Sequence, residues 1–215
     1  MDGREHKGAF VVMNSAADGE DAAAWGAWYI DVHIPEVLEP GIFTASARFE
    51  RTGGRAPSDA THMALYECPR EDVEGAWSDL RQALAASANP NAPRPASDVA
   101  LMSTFRLLHA SPHGGKPTKS VLLVNVDYND EATVDEFNQW YNTTHISEFL
   151  ASGAYHTATR YEICEPVEHY GRFLAVYESE YDPDEADRIS RANAKMSPPP
   201  EALKLRHLGH YARLK

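Results

Sequence analysis

Apolar positions come in short blocks whose period changes along the chain. Residues 10–14 (FVVMN) and 121–126 (VLLVNV) are continuous, β-branched-rich runs, the pattern of buried strands. Each is followed by an acidic stretch, 18–24 and 129–136, and carboxylates suit the positive end of a starting helix. Those helices run to about Leu38 and Leu150, and Gly41 and Gly153 stand where C-terminal stops are expected. Residues 43–50 and 155–162 alternate and predict strands, and 62–67 and 172–179 predict third strands. Residues 70–86 and 183–196 predict second helices, and 99–108 and 205–214 a closing strand each. Proline-rich loops, 88–95 and 197–200, precede the closing strands at matching places.

The same order occurs twice because the sequence itself repeats. WYIDVHIPEVLEPGIFTASARFE, from Trp28, lies over WYNTTHISEFLASGAYHTATRYE, from Trp140, with nine of 23 positions identical. Chance gives roughly one or two. ALYE at 64–67 lies over AVYE at 175–178. A period near 110 is too long for a solenoid and predicts a duplicated small domain: residues 1–110, a linker at 111–118, and 119–215. Each copy reads βαββαβ, the ferredoxin-like unit. Such a sheet has helices on one face and leaves the other bare, and burying apolar surface is worth about 25 cal/mol per Å². The expected fold is therefore α+β, two tandem repeats packed sheet to sheet as an intramolecular α/β barrel, its interior the expected ligand chamber.

Composition narrows the partners. The chain has 215 residues, 43% apolar and 24% charged, an ordinary globular mixture. No run approaches the roughly 20 apolar residues of a membrane helix, and residues 1–8 (MDGREHKG) lack the apolar core of a secretory signal. Acidic residues outnumber basic ones 32 to 20, for a net charge of −12, which argues against nucleic acid or an anionic membrane as partner. Two cysteines, Cys68 and Cys164, are too few for a disulfide framework and fit reduced thiols in the cytoplasm. A self-contained barrel suits a monomer or a homodimer.

The motif W-Y-x-x-x-H-I-[PS]-E at the end of each first helix resembles the dimeric α/β-barrel superfamily, and within it the EthD-type branch. The resemblance covers most of the chain, twice. It implies small-molecule chemistry: the superfamily holds cofactor-free cyclases, decarboxylases, dehydratases and monooxygenases, haem-binding members, and members without known activity. Nothing separate in the sequence points to haem, so no cofactor is expected.

Residues four apart share a helix face, so Tyr29 and His33, and Tyr141 and His145, stand together, with Glu36 and Glu148 three further on. Histidine suits acid–base work near neutral pH. A carboxylate could orient it and a tyrosine hydroxyl could serve an oxyanion. The alternative is a structural cluster capping the helix end. The second copy is the more polar: Pro35, Asp31 and Val32 become Ser147, Thr143 and Thr144, and Thr44 becomes His156. That polarity points to the second copy for function and the first for packing. Arg48 and Arg160 match between copies, and either could hold a substrate carboxylate in the barrel or pair at the surface with Glu50 or Glu162. On the third strands Met63, Leu65, Leu174 and Val176 suit packing under helices, which leaves His62, Tyr66, Phe173 and Tyr177 toward the interior as walls for a flat ligand.

Metal and nucleotide signatures are missing. His109 and His113 flank a Ser-Pro turn, and His207 and His210 lie on opposite faces of a strand. No GxGxxG, GxxxxGK[ST] or GxSxG occurs. The expectation is a cofactor-independent lyase or isomerase working on an aromatic or polyketide-like carbonyl compound by cyclisation, dehydration or decarboxylation. The alternatives are a non-catalytic binding or accessory protein for a hydrophobic metabolite and a cofactor-free monooxygenase.

Overall fold

A computed structural model describes residues 6–55, 58–87 and 94–214. The first half opens on β1 (Gly8–Ala16). Helix α1 (Ala22–Trp28) begins where the Asp21 carboxylate accepts the Ala23 and Ala24 N–H groups at 2.9 and 3.1 Å. It continues through one π-helical turn, Tyr29–His33, where the Ile34 N–H donates to the Tyr29 carbonyl, into α2 (Ile34–Leu38). Gly41, at φ 71°, takes the left-handed conformation that stops the helix. Strands β2 (Ala45–Arg55) and β3 (His62–Cys68), helix α3 (Val73–Ser87) and strand β4 (Ser97–Ala110) follow.

The second half repeats this order. It runs β5 (Ser120–Tyr128), a 3-10 turn capped by Asp130, α4 (Val134–Trp140), a π turn at Tyr141–His145, and α5 (Ile146–Leu150). Gly153, at φ 76°, ends it, before β6 (Thr157–Ile163), β7 (Phe173–Ser179), α6 (Pro183–Asn193) and β8 (Leu203–Arg213). The predicted elements all appear, with ends shifted by a few residues. Most of the proline-rich loop at 88–95 falls outside the described residues.

The eight strands form one closed antiparallel barrel in the order β1-β3-β2-β8-β5-β7-β6-β4. Two seams join the halves. Along one, β2 pairs with β8 (Phe49 opposite Arg213); along the other, β4 pairs with β6 (Phe105 opposite Ile163). The fold is α+β, and among the described residues no helix is long and apolar enough to cross a membrane.

The barrel interior is solid. Val11, Met13, Phe49, Met63, Leu65, Phe105, Leu123, Tyr161, Leu174, Val176 and Tyr211 form one buried cluster drawn from strands of both halves and from no helix. This overturns the expected direction of the third strands. Met63, Leu65, Leu174 and Val176 fill the barrel, while Tyr66, Phe173 and Tyr177 lie in the two clusters beneath the helices. His62 also faces α1, its ring 5.1 Å from that of Trp25. The physical reason is width. Eight strands enclose space that side chains just fill, here aliphatic and phenyl groups with Tyr161 and Tyr211, whose hydroxyls bond to His6 and His207. The Tyr66 and Tyr177 hydroxyls instead find partners on the helix side, in Tyr29 and Tyr141.

Candidate functional site

Each helix-facing sheet surface carries the same four side chains. In the second half the Arg160 guanidinium lies 4.1 Å from the centre of the Tyr141 ring, the Tyr177 hydroxyl donates to that of Tyr141 at 3.2 Å, and the His145 ring stands 4.5 Å from Tyr141. In the first half Arg48 lies 3.5 Å from the Tyr29 ring, Tyr66 donates to Tyr29 at 3.4 Å, and His33 stands 4.7 Å from Tyr29. Both arginines are buried, 1% and 3% exposed. They occupy neither of the expected places, barrel interior or surface salt bridge. The Glu162 carboxylate pairs instead with Arg106 and Arg172.

The two clusters differ in how the guanidinium is satisfied. Arg160 donates to the side-chain oxygens of Asn142 at 2.6 Å and Asn138 at 3.0 Å, both from the helix above it. The repeat places Ile30 over Asn142 and Gly26 over Asn138. Neither offers a side-chain acceptor. Arg48 therefore keeps one such bond, to the Asn14 side-chain oxygen at 3.0 Å, while its Nε and Nη2 are buried without a hydrogen-bond partner. Burial draws both arginines below their ordinary range, and for Arg48 only the nearby Tyr29 and Tyr66 oppose it. Above Gly26 no atom lies within 4 Å of where a Cβ would stand. A cleft of about 790 Å³ opens at the β2–β8 seam, with Ile30, Ile34, Arg48, Lys119, Asp182 and Arg213 in its walls.

The histidines are buried bases. His33 is pushed down to about 4 by burial, then by Arg94 and Arg48. His145 is pushed down to about 4 by burial, against the pull of Glu148 and with the push of Arg160. Each Nδ1 is buried without a hydrogen-bond partner. The carboxylates expected to orient them are engaged elsewhere. Glu36 pairs with Arg94 at 3.1 Å, and Glu148 accepts the Ser197 N–H at 2.8 Å and its hydroxyl, which holds the Glu148 carboxyl below its usual range. Both glutamates thus tie down the loop before the last strand of their half, and neither hydrogen-bonds its histidine.

The remaining expected residues fall apart from this arrangement. His156 sits outside the barrel, bonded to Thr157 and 6.1 Å from His113, in the wall of a smaller cavity of about 290 Å³ with Lys116, Tyr155 and Glu180. Phe173 packs on Phe137 and under Arg160. Cys68 is buried, and burial pushes its thiol up, away from reactivity. Sequence reasoning passed over Asn138, Asn142, Gly26 and Ile30. The signal was the substitution of two amides by a glycine and an isoleucine above a matched arginine.

Haem, which the resemblance allows, needs an axial imidazole or similar ligand aimed into a cavity. The cleft wall carries none, so its residues do not fit that group. Among the described residues no three His, Cys, Asp or Glu side chains gather as a metal site.

No family model and no curated protein matches the chain. Solved structures match its fold over nearly the whole length. A candidate chlorite dismutase is similar at TM-score 0.59 and 10% identity, covering 98% of this chain and 96% of that one. A mutant chlorite dismutase from Candidatus Nitrospira defluvii is similar at 0.53 and 13%, covering 97% and 93%. An anthrone oxidase-like protein is similar at 0.52 and 9%, covering 98% and 93%. The chain shares their fold, a barrel of ferredoxin-like halves.

Proposed function

We propose that the protein is a small-molecule enzyme that moves a proton on a carbonyl compound without a resident cofactor, as a lyase or isomerase would, in the cleft where the first half's Arg48 meets the second half across the β2–β8 seam. The reading treats the halves as copies of one duplicated unit, of which the second became structural. One observation carries it: the same Arg–Tyr–Tyr–His cluster is completed by Asn138 and Asn142 in the second half and lacks both in the first, where its Arg48 stands in the wall of a cleft.

The roles follow from chemistry and placement. His33 is neutral at pH 7 and can accept a proton. Tyr29 touches both the guanidinium and the imidazole, and its hydroxyl already accepts from Tyr66, so its own proton is free to be donated to a developing oxyanion. Burial holds Tyr66 protonated well above the usual phenol range, which keeps that relay intact. Ile30 and Ile34 offer apolar walls for the body of an aromatic or polyketide-like substrate.

The test is hydrogen–deuterium exchange at the carbon next to the carbonyl, followed by NMR over a panel of aryl and polyketide-like ketones. His33→Ala and Tyr29→Phe are expected to abolish exchange, His145→Ala to leave most of it. Equal loss from His33→Ala and His145→Ala would refute the assignment to one half. A second reading, a binding protein without turnover, is favoured by the matching surroundings of His33 and His145. It predicts ligand binding with no exchange. Oxygen uptake during turnover would mark a monooxygenase instead.

A further inference from the structure

We infer that Arg48 is a binding site for an organic carboxylate, so that the molecule taken up in the first-half pocket is an anion with an apolar body; this rests on the reading that the first half holds the ligand site. A guanidinium has five N–H donors and is always charged. Arg48 is 3% exposed, yet one hydrogen bond, to Asn14, is all that its guanidinium makes, and its Nε and Nη2 are buried and unpaired. No carboxylate is among the groups that act on it electrostatically. A buried cation left in that state is unfavourable unless something else completes it.

The second half shows what completion looks like. There two side-chain oxygens, from Asn138 and Asn142, meet Nη2 and Nη1 of Arg160. Two oxygens on one planar group are what a carboxylate presents, and arginine takes it bidentately. In the first half both asparagines are gone, and the position above Gly26 is open space. The carboxylate is placed over Arg48 where the Asn138 amide would stand, since Ile30 takes the place of Asn142. Ile30 and Ile34 then line the path outward, and the cationic Lys119 stands in the same cleft wall. The chain as a whole carries −12, so free anions are repelled overall, and uptake of one depends on a local site of this kind.

The test uses the full chain and calorimetry with 2-naphthoate, benzoate and decanoate, each beside its uncharged amide. Expected are saturable binding of at least one carboxylate, its amide at least tenfold weaker, and an Arg48→Met variant at least tenfold weaker than wild type. A second variant guards against misfolding. Gly26→Asn with Ile30→Asn rebuilds the second half's acceptors over Arg48, and it should lose carboxylate affinity at least tenfold while melting no lower than wild type. Arg160→Met, where it folds, should bind as wild type does. The inference is overturned when no probe binds saturably, when amide and carboxylate bind alike, when either first-half variant binds as wild type, or when folded Arg160→Met loses as much as Arg48→Met. Calorimetry needs no turnover, so the two ideas fail separately. Arg48-dependent binding with no proton exchange defeats the enzyme reading alone. Exchange that depends on His33 with no preference for carboxylate over amide defeats this one alone.

Discussion

Lowering the pH from 7 to 5 should cost this protein about 5 kcal/mol of stability, above the range where carboxylates normally act. The source is four histidines held neutral in the fold: His33, His62, His145 and His207, each pushed down to about 4 chiefly by burial. The charges facing them are Arg94 and Arg48 at His33, Arg48 at His62, Glu148 and Arg160 at His145, and Arg51 at His207. In the unfolded chain each would titrate near 6.5. Their folded values lie below the unfolded one, so the stability they support is whole above pH 6.5 and drains away as pH falls toward 4, where it levels off. At pH 5 the unfolded state holds almost a full proton per ring and the folded state almost none, a difference of about 2 kcal/mol each. Solvent reaches part of the His33, His62 and His145 rings, and screening roughly halves their value, to about 1 kcal/mol each, while the buried His207 keeps about 2 kcal/mol. Against a typical total of about 5–15 kcal/mol the sum is large. Urea unfolding at pH 7, 6 and 5 reads the slope, and NMR of the ring protons reads each midpoint. A flat stability between pH 7 and 5, or midpoints near 6.5 for His33 and His145, would refute the reasoning. Replacing His207 by Asn should remove about two fifths of the slope.

Other outcomes follow from the same contacts. Arg160→Leu strands two half-buried amides and should cost about 1–3 kcal/mol, whereas Arg48→Met removes an incompletely paired charge and should cost less, both read by urea unfolding. Tyr177→Phe deletes the 3.2 Å bond to Tyr141 and should lower stability by about 1 kcal/mol. Gly171→Ala drives a Cβ to 2.5 Å from the Val126 carbonyl across the barrel wall, a cost of about 1–3 kcal/mol visible as a lower melting temperature. Leu174→Ala hollows the barrel and should cost about 2–5 kcal/mol yet leave carboxylate affinity unchanged, because the interior is core and not chamber.

The element order was readable because it rests on local chemistry: β-branched runs, acidic helix starts, and Gly41 and Gly153 at the positive-φ stops. Closure followed from the repeat and from the need to cover a bare sheet face. Which face of β3 and β7 turns inward was not readable. HMALYE and FLAVYE alternate equally well either way, and the choice depends on barrel width and on partners that only the helices supply. The π turns at Tyr29–His33 and Tyr141–His145 left no mark in the sequence, since an i to i+5 bond needs no particular residue. The polar helix of the second copy puts Asn138 and Asn142 to work on Arg160, a use that polarity alone did not reveal, and the apolar Ile30 leaves Arg48 without such a bond.

The two seams of the barrel have a consequence for assembly. Both seams between halves, β2 with β8 and β4 with β6, are strand paired to strand, and the chain crosses between halves only at 111–118, whose single backbone-to-backbone bond to the sheet runs from the Ser111 N–H to the Ala158 carbonyl among the described bonds. Two chains that traded their C-terminal halves would therefore recover every rung, both cores and both arginine clusters, as a pair of interlocked barrels. Only the conformational freedom of the linker and the concentration of chains separate the two forms, and shortening that linker below the span it must cross should convert the population to the interlocked pair.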